Sequence, residues 1–338
     1  MKPDARIQNW LETINDSRSW LPLGVFLLAL LFTPLGTIWW LCLLIVAGLF
    51  LAKYLKAETA LLWALVTLAG GILSVGAWSP RTLSPALRND PNDVQSLDWN
   101  GMQKLEIRGY NGTIRVSVRA GGGDLRLERK GGASVSLEKN GDTLRLTARR
   151  PFFSFSSGVD ITLDAPANLN LNLQNSNGHI RVEGVVRQLI AKTSNGRIEL
   201  RDSGKTEAKL ETSNAEIILE RVGGDITAKT SNAPIRLLQS TDVRFGLTTS
   251  NADLQLEQVV LANNSTSSLE SSNGTVQLIN LKAPSGMTIR GSTSNAKVEV
   301  DLPGFEVQID NQQFSAKQDG FGMANVEVRT SNKRIVVR

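Results

Sequence analysis

The stretch that decides the fold is Gln188-Leu189-Ile190-Ala191-Lys192-Thr193-Ser194-Asn195-Gly196-Arg197-Ile198-Glu199-Leu200. Apolar residues alternate with polar ones on both sides of the central Ser-Asn pair. This period of two is typical of a half-buried β-strand, and no helical period competes with it. The stretch therefore predicts a strand, a corner at Ser194-Asn195 and a second strand.

The same corner returns along the chain at a nearly fixed interval. Its asparagines are Asn177, Asn195, Asn214, Asn232, Asn251, Asn273, Asn295 and Asn332, with gaps of 18, 19, 18, 19, 22, 22 and 37 residues. A repeat of about 20 residues with a turn residue in phase predicts a solenoid, because each unit buries its apolar face against its neighbours. The last gap is about two repeats long and predicts an eroded repeat around Asp310-Asn311.

The residue after each asparagine bears on the shape of the corner. Gly follows Asn177, Asn195 and Asn273, whereas Ala follows the asparagines at positions 214, 232, 251 and 295. Since Ala does not tolerate positive φ and Asn does, we expect any left-handed residue to be the asparagine. Stacked coils would then form a ladder of bonded amides with a structural role. A row of amides that contacts a ligand is the alternative.

Coils of 18 to 22 residues accommodate two or three short strands, and parallel strands favour right-handed crossovers. Before the repeat, residues 97–174 predict less regular, hairpin-like strands that cap a solenoid formed by residues 175–338. These strands are predicted over 104–108, 113–119, 124–129, 134–138 and 143–147, separated by turns such as Asn111-Gly112 and Asn140-Gly141. The basic, aromatic segment 149–155 is interpreted as a loop over this cap, or as one that touches lipid headgroups or a partner.

The composition divides the chain near residue 80. The first part holds six of the seven Trp residues and nine charged side chains, and the rest holds 32 basic and 28 acidic residues. Because the signs are mixed along each strand, the pattern excludes the one-sided basic stripe of a nucleic-acid-binding surface. The residues three positions before the corners predict a solvated face: Lys192, Glu211, Lys229, Thr248 and Glu270.

The sequence predicts no catalytic, metal or cofactor site. One cysteine, Cys42, and one histidine, His179, supply neither a zinc site nor a nucleophile-histidine pair. His179 follows a corner and is expected to be an exposed polar residue. The outward acids Glu199, Glu216, Asp253 and Glu299 are interpreted as scattered among Arg, Pro and Gln residues.

Residues 20–79 predict a membrane segment of about three short helices. Residues 20–52 carry no charge and are broken at Pro34-Leu35-Gly36, and a second uncharged run covers residues 59–79. One straight helix over the first run would span about 50 Å, well beyond the ~30 Å hydrocarbon core, so a hairpin is the better interpretation. The crossings are short, which leaves a partly re-entrant bundle open. A cleavable signal peptide is a poor alternative, because the apolar run starts late and is too long.

The basic residues predict the orientation. The tail 1–19 and the loop with Lys53 and Lys56 carry positive charges, which favour the cytoplasmic side. With three crossings, the Pro-containing linker 80–96 leads to a β domain outside the cytoplasmic membrane. With two crossings, the tail and the β domain would share one side.

Two parts of the chain resemble known families. Residues 160–178, with Asp160-Ile161-Thr162-Leu163-Asp164-Ala165-Pro166 and the corner Asn175-Ser176-Asn177-Gly178, and the later Thr-Ser-Asn-Gly corners resemble the putative-adhesin β-strand-repeat family of bacterial envelope proteins. Residues 21–51 are similar to the membrane segment of LiaF-like envelope-stress proteins. The resemblance implies a β-repeat domain in a bacterial envelope and no catalytic residue. Ala at four corners and Lys333 after the last one depart from the pattern.

Three functions follow as hypotheses. The first is a non-enzymatic, membrane-anchored module that binds an envelope protein or glycan and reports envelope stress. The second is a polysaccharide-active enzyme, which would need carboxylates that converge in a groove. The third is self-assembly through the membrane helices or through an open strand edge at residues 333–338, where Arg334 and Arg338 would discourage pairing.

Overall fold

A computed structural model describes residues 92–151, 157–321 and 323–338, and the regular elements of these residues are β-strands. The first seven are β1 (Asn92–Ser96), β2 (Lys104–Arg108), β3 (Ile114–Val118), β4 (Asp124–Lys130), β5 (Ser134–Asn140), β6 (Thr143–Arg149) and β7 (Gly158–Ala165). The next ten are β8 (Asn170–Gln174), β9 (Ile180–Glu183), β10 (Gln188–Lys192), β11 (Ile198–Glu211), β12 (Ile217–Lys229), β13 (Ile235–Leu238), β14 (Thr241–Thr249), β15 (Leu254–Leu261), β16 (Thr266–Ser271) and β17 (Val276–Lys282). The last six are β18 (Met287–Thr293), β19 (Val298–Val300), β20 (Glu306–Asp310), β21 (Gln313–Gln318), β22 (Ala324–Thr330) and β23 (Ile335–Val337).

The strands stack in parallel on both sides of the Ser-Asn corner. We call the strands before the corners the first sheet, in the order β5-β6-β2-β8-β10-β11-β12-β14-β16-β22-β18-β21-β20. The strands after the corners form the second sheet, in the order β1-β4-β7-β3-β9-β11-β12-β13-β15-β17-β23-β19. The long strands β11 and β12 run through both. The described chain is thus mainly β, with the stacked coils of a β-solenoid.

The core lies between the two sheets and is built in columns. In every coil the inward residues share one register, so that Leu171, Leu189 and Ala208 are neighbours in the first sheet. Ile180, Ile198 and Ile217 are neighbours in the second sheet, and all three are buried. Burial of one such side chain is worth about 1.5–3 kcal/mol. The alternation in the sequence therefore fixes which face of each strand meets the core.

The corner opposite the Ser-Asn pair holds the left-handed residues. Seven positions after each of six ladder asparagines, the backbone has positive φ: Gly184, Asp202, Arg221, Gln239, Gln258 and Asn280. The corner asparagines themselves do not have positive φ. The expectation of a left-handed Asn is therefore wrong, because the chain reverses at the Ser-Asn corner without it and needs that conformation one strand later.

The order of the coils differs from the order of the sequence at both ends. β22 lies between β16 and β18, and β23 lies between β17 and β19. Likewise, β2 lies between β6 and β8. The sequence suggested an open strand edge at residues 333–338, and this expectation is wrong. Their strand is internal and hydrogen-bonded on both sides, with Ile335 and Val337 buried.

Antiparallel strands cover both ends of the stack. β5 and β6 form a hairpin over Asn140-Gly141, while β21 pairs antiparallel with β18 and β20 pairs antiparallel with β21. Asn311, with φ 51°, lies in the turn between β20 and β21. The eroded repeat expected at Asp310-Asn311 is thus a hairpin. Conversely, Asn111-Gly112 joins β2 of the first sheet to β3 of the second sheet and is a corner of the stack rather than a hairpin turn.

The predicted membrane segment, tail and most of the linker fall outside the described residues. Within residues 92–151, 157–321 and 323–338, no helix has the length and apolar character needed to cross a membrane.

Candidate functional site

The candidate site is the Ser-Asn corner together with the groove beside it. At seven corners, a buried hydroxyl two residues before the asparagine donates to a carbonyl oxygen of a neighbouring coil. Thr212 Oγ1 donates to Gly196 O at 3.1 Å, and Thr249 Oγ1 donates to Ala233 O at 3.2 Å. Because a buried hydroxyl without a partner is costly, this column explains the Thr or Ser in the repeat.

The corner asparagines form one continuous ladder. Each side-chain Nδ2 donates to the Oδ1 of the next asparagine toward the N-terminal end of the stack, at distances from 2.6 to 2.9 Å. In spatial order the members are Asn111, Asn177, Asn195, Asn214, Asn232, Asn251, Asn273, Asn332 and Asn295. The eight asparagines of the sequence repeat all lie in it. Every member except the terminal Asn295 both donates through Nδ2 and accepts through Oδ1, so the interior amides are each other's hydrogen-bond partners.

Asn111 is a ninth member that the repeat does not include. Its Oδ1 accepts from Asn177 at 2.7 Å, and its Nδ2 donates to Ser157 O at 3.0 Å. At the neighbouring corner the Thr position is held by Asn175, whose Nδ2 donates to Gly112 O at 2.6 Å. The dipeptide Asn111-Gly112 was the available signal. The repeat interval of about 20 residues does not reveal Asn111, because 66 residues separate it from the next corner.

The serine of each corner links coils through its backbone, and its side chain is exposed at most corners and half-buried at Ser231 and Ser331. The N–H groups of Ser213 and Asn214 both donate to Ser194 O, at 3.1 and 3.0 Å, and the same pattern recurs at neighbouring corners. The side chains of Ser194 and Ser213 are exposed, as are the ladder asparagines. A row of hydroxyls therefore runs beside the row of amides.

Close approach explains the glycines after the asparagines. A Cβ built on Gly196 would overlap the carbonyl oxygen of Gly178, and one built on Gly178 would overlap that of Gly112. Gly112, Gly178 and Gly196 do not have positive φ. Glycine is thus required here by the packing of backbone on backbone, which the coils with Ala relieve.

An open groove of about 540 Å³ runs along the first sheet beside the corners. It is lined by Gln174, Asn175, Lys192, Thr193, Ser194, Glu211, Thr212, Ser213, Lys229 and Ser231. Lys192 Nζ lies 2.7 Å from Glu211 Oε2, and this hydrogen bond lowers the pKa of the Glu211 carboxyl. The groove therefore offers hydroxyls, amides and charges of both signs to a ligand. It is lined by Lys192, Glu211 and Lys229, which the sequence predicts to lie on a solvated face.

His179 is exposed and caps the next coil. Its Nδ1 accepts the backbone N–H of Arg197 at 2.9 Å. Asp253 Oδ1 has the same role toward the N–H of Thr275 at 2.7 Å. Both side chains thus have a structural partner at the start of a second-sheet strand.

The outward acids of the second sheet are less scattered than expected. Glu199 lies within 3.8 Å of Arg181, Arg197 and Arg201, and Glu216 lies 3.2 Å from both Arg197 and Arg236. Glu299 is paired with Arg334 and Arg338, at 3.6 and 3.8 Å. Arg197 and Arg201 lie two residues from Glu199, whereas the pairs of Glu199 with Arg181 and of Glu216 with Arg197 and Arg236 join adjacent coils and are concealed by the linear spacing. In the ranges that the structure describes, no group of three His, Cys, Asp or Glu residues could hold a metal ion.

Comparison with solved structures adds a structural similarity. No protein-family model matches the chain, and no curated protein matches it. A solved structure described as a "putative cell adhesion protein" from Clostridium sporogenes is similar with a TM-score of 0.27 and 9% sequence identity. The match covers 73% of this chain and 97% of the other. A similarity of this size does not establish a shared function.

Proposed function

We propose that this chain is a non-enzymatic, membrane-anchored β-solenoid that binds an extended polymer of the bacterial envelope, with a glycan strand as its ligand class. Residues 20–79 are the anchor in this proposal, and the β domain lies outside the cytoplasmic membrane. The observation that carries it is the groove along the first sheet, where Ser194, Ser213 and Ser231 repeat at the strand spacing of about 4.8 Å.

The chemistry of the groove supports a polar, repeating ligand. Exposed hydroxyls and amides can donate to and accept from sugar hydroxyls without a fixed charge on the ligand. Because Lys192 and Glu211 are paired with each other, the groove has no strong charge preference at that point. Glu199 and Glu216 of the second sheet are paired with arginines of their own and of neighbouring coils, an arrangement that favours a structural role for these acids.

The test is sedimentation of the purified full chain with isolated cell-wall sacculi. We expect the wild-type chain to sediment with the sacculi, and the variants Ser194→Trp and Ser213→Trp, which fill the groove, to remain in solution. Gln255→Trp, at an outward position of the second sheet, is the matched control and should still bind. If wild-type chain stays in solution while chemical cross-linking in cells joins it to a protein through the groove, the ligand is a protein and the glycan proposal fails.

A further inference from the structure

The two ends of the stack are stepped in opposite ways. At the N-terminal end, the first sheet extends two strands beyond β2 and the second sheet extends three strands beyond β3, its neighbour in the same coil. At the C-terminal end, the first sheet extends two strands beyond β18, whereas β19 is the last described strand of the second sheet. The second sheet therefore projects beyond the first sheet at the N-terminal end and stops short of it at the C-terminal end.

The edge strand at the C-terminal end is uncovered. All five residues of β20 are exposed, and β21 is its partner among the described strands. Of five exposed large apolar side chains in the described residues, three lie in edge strands: Val307 and Ile309 in β20, and Val94 in β1. Unpaired backbone beside exposed apolar side chains is a template for pairing with another strand.

The segments that hold the first-sheet caps carry net charges of opposite sign. Residues 301–320 carry four acidic side chains and one basic one, whereas residues 124–150 carry four acidic and seven basic ones. Pairing of β20 with β20 of a second copy, centred on Gln308, would place Glu306 opposite Asp310, and like charges across a strand pair are destabilising. Charge therefore disfavours tail-to-tail pairing and favours the opposite end as the partner.

Strand direction also permits this joint. β20 runs parallel to the coils because it is antiparallel to β21, which is antiparallel to β18. β5 runs against the coils because it is antiparallel to β6. When β20 of one copy follows β5 of the next, the first sheet continues as an antiparallel pair. One strand width is then left between β19 and β1, and the β19–β20 connection, with Leu302 and Phe305 packed on the core, would occupy part of it.

We propose that β20 of one copy pairs with β5 of a second copy, so that the chains assemble head to tail. The two surfaces differ, so the contact is heterologous and does not close on itself. The partner is a second copy of this chain, and the joint lies at the caps rather than at residues 333–338.

The test is disulfide cross-linking of the full chain in detergent, in a Cys42→Ser background. Copies with Gln308→Cys, an outward residue of β20, are mixed with size-tagged copies that carry Ser136→Cys, an outward residue of β5. We expect mixed dimers, formed several times faster than with Glu270→Cys, an exposed residue in the middle of the first sheet, as the partner. Raising the salt concentration should slow the reaction, because opposite charges are screened.

Adding Ile309→Lys places a charge on the apolar face of the edge strand and should abolish the mixed dimers. Since Ile309 is 51% exposed, the fold should survive, and an unchanged unfolding midpoint verifies that. Dimers between two Gln308→Cys copies in preference to mixed ones would overturn the proposal. Mixed dimers that form no faster than with Glu270→Cys would do the same.

Discussion

The side chain of Asn332 donates to Asn273 at 2.6 Å across 59 residues of sequence. On its other side, Asn332 accepts from Asn295 at 2.6 Å. The last corner of the chain is therefore an internal step of the ladder, and the strands on both sides of it are internal strands.

A core substitution in the last strand tests this position. Ile335 is fully buried between two neighbouring strands, so Ile335→Ala should lower the free energy of unfolding by about 2–5 kcal/mol. The control is Val307→Ala in the exposed edge strand, which should change it by no more than about 0.5 kcal/mol. Denaturant unfolding of the full chain measures both. Equal, small effects would place residues 333–338 at an edge after all.

The asparagine ladder predicts a difference between its middle and its end. Asn232→Ala removes two side-chain hydrogen bonds, whereas Asn295→Ala removes one. At about 1 kcal/mol for each bond, the middle substitution should cost about twice as much as the terminal one. Unfolding midpoints in urea give the comparison. If the two costs are the same, the ladder bonds contribute nothing beyond the loss of the side chain.

The close approach at the glycine corners predicts that Gly and Ala are not interchangeable. Gly196→Ala should destabilise by about 1–3 kcal/mol, because the new methyl group meets the carbonyl oxygen of Gly178. The reverse change at an alanine corner, Ala233→Gly, should cost about 0.5–1 kcal/mol through chain entropy. Thermal unfolding of both variants checks the order. Comparable costs would mean that the backbone at Gly196 shifts freely.

Acid should weaken the N-terminal coils through Glu106. A hydrogen bond from Lys104, with a further contribution from Arg145, holds the pKa of this carboxyl below its ordinary value of 4.5. A depressed pKa means that the stabilisation is complete above pH about 4.5 and is lost as the pH falls through the lowered value.

Glu106→Gln should therefore reduce stability at pH 7 and make the acid loss shallower, as measured by unfolding at pH 7 and pH 3. Glu270→Gln, at an exposed position in the same sheet, is the control and should leave the profile unchanged. Parallel profiles for wild type and Glu106→Gln would remove Glu106 as the source.

The side of the membrane is tested by labelling on intact cells. Single cysteines at the exposed positions Ser268 and Lys333, in a Cys42→Ser background, should react with a membrane-impermeant reagent if three crossings precede the β domain. Protection until the cytoplasmic membrane is permeabilised would leave two crossings and place the domain in the cytoplasm.

The sequence predicts the strands and corners that every coil repeats. It does not predict the contacts between parts of the chain that are distant in sequence. The alternation around Ser194-Asn195 determines its strands and its corner, because those contacts recur at one interval. The insertion of β22 and β23 does not follow from any interval, since β18 could follow β16 with the same residues facing inward. The pairs of Glu199 with Arg181 and of Glu216 with Arg197 and Arg236 arise across coils. The left-handed position needed the path of the backbone, because Asp, Arg, Gln, Asn and Gly all occupy it.

The inserted last coil has a consequence for biosynthesis. A stack whose order followed the sequence could be completed one coil at a time as the chain leaves the ribosome. Here residues 266–282 and 287–300 remain without the neighbour that separates them until residues 324–337 have been translated. Completion of these coils therefore waits until residue 337 has been translated, and a chain that ends before residue 324 lacks an internal layer rather than an end.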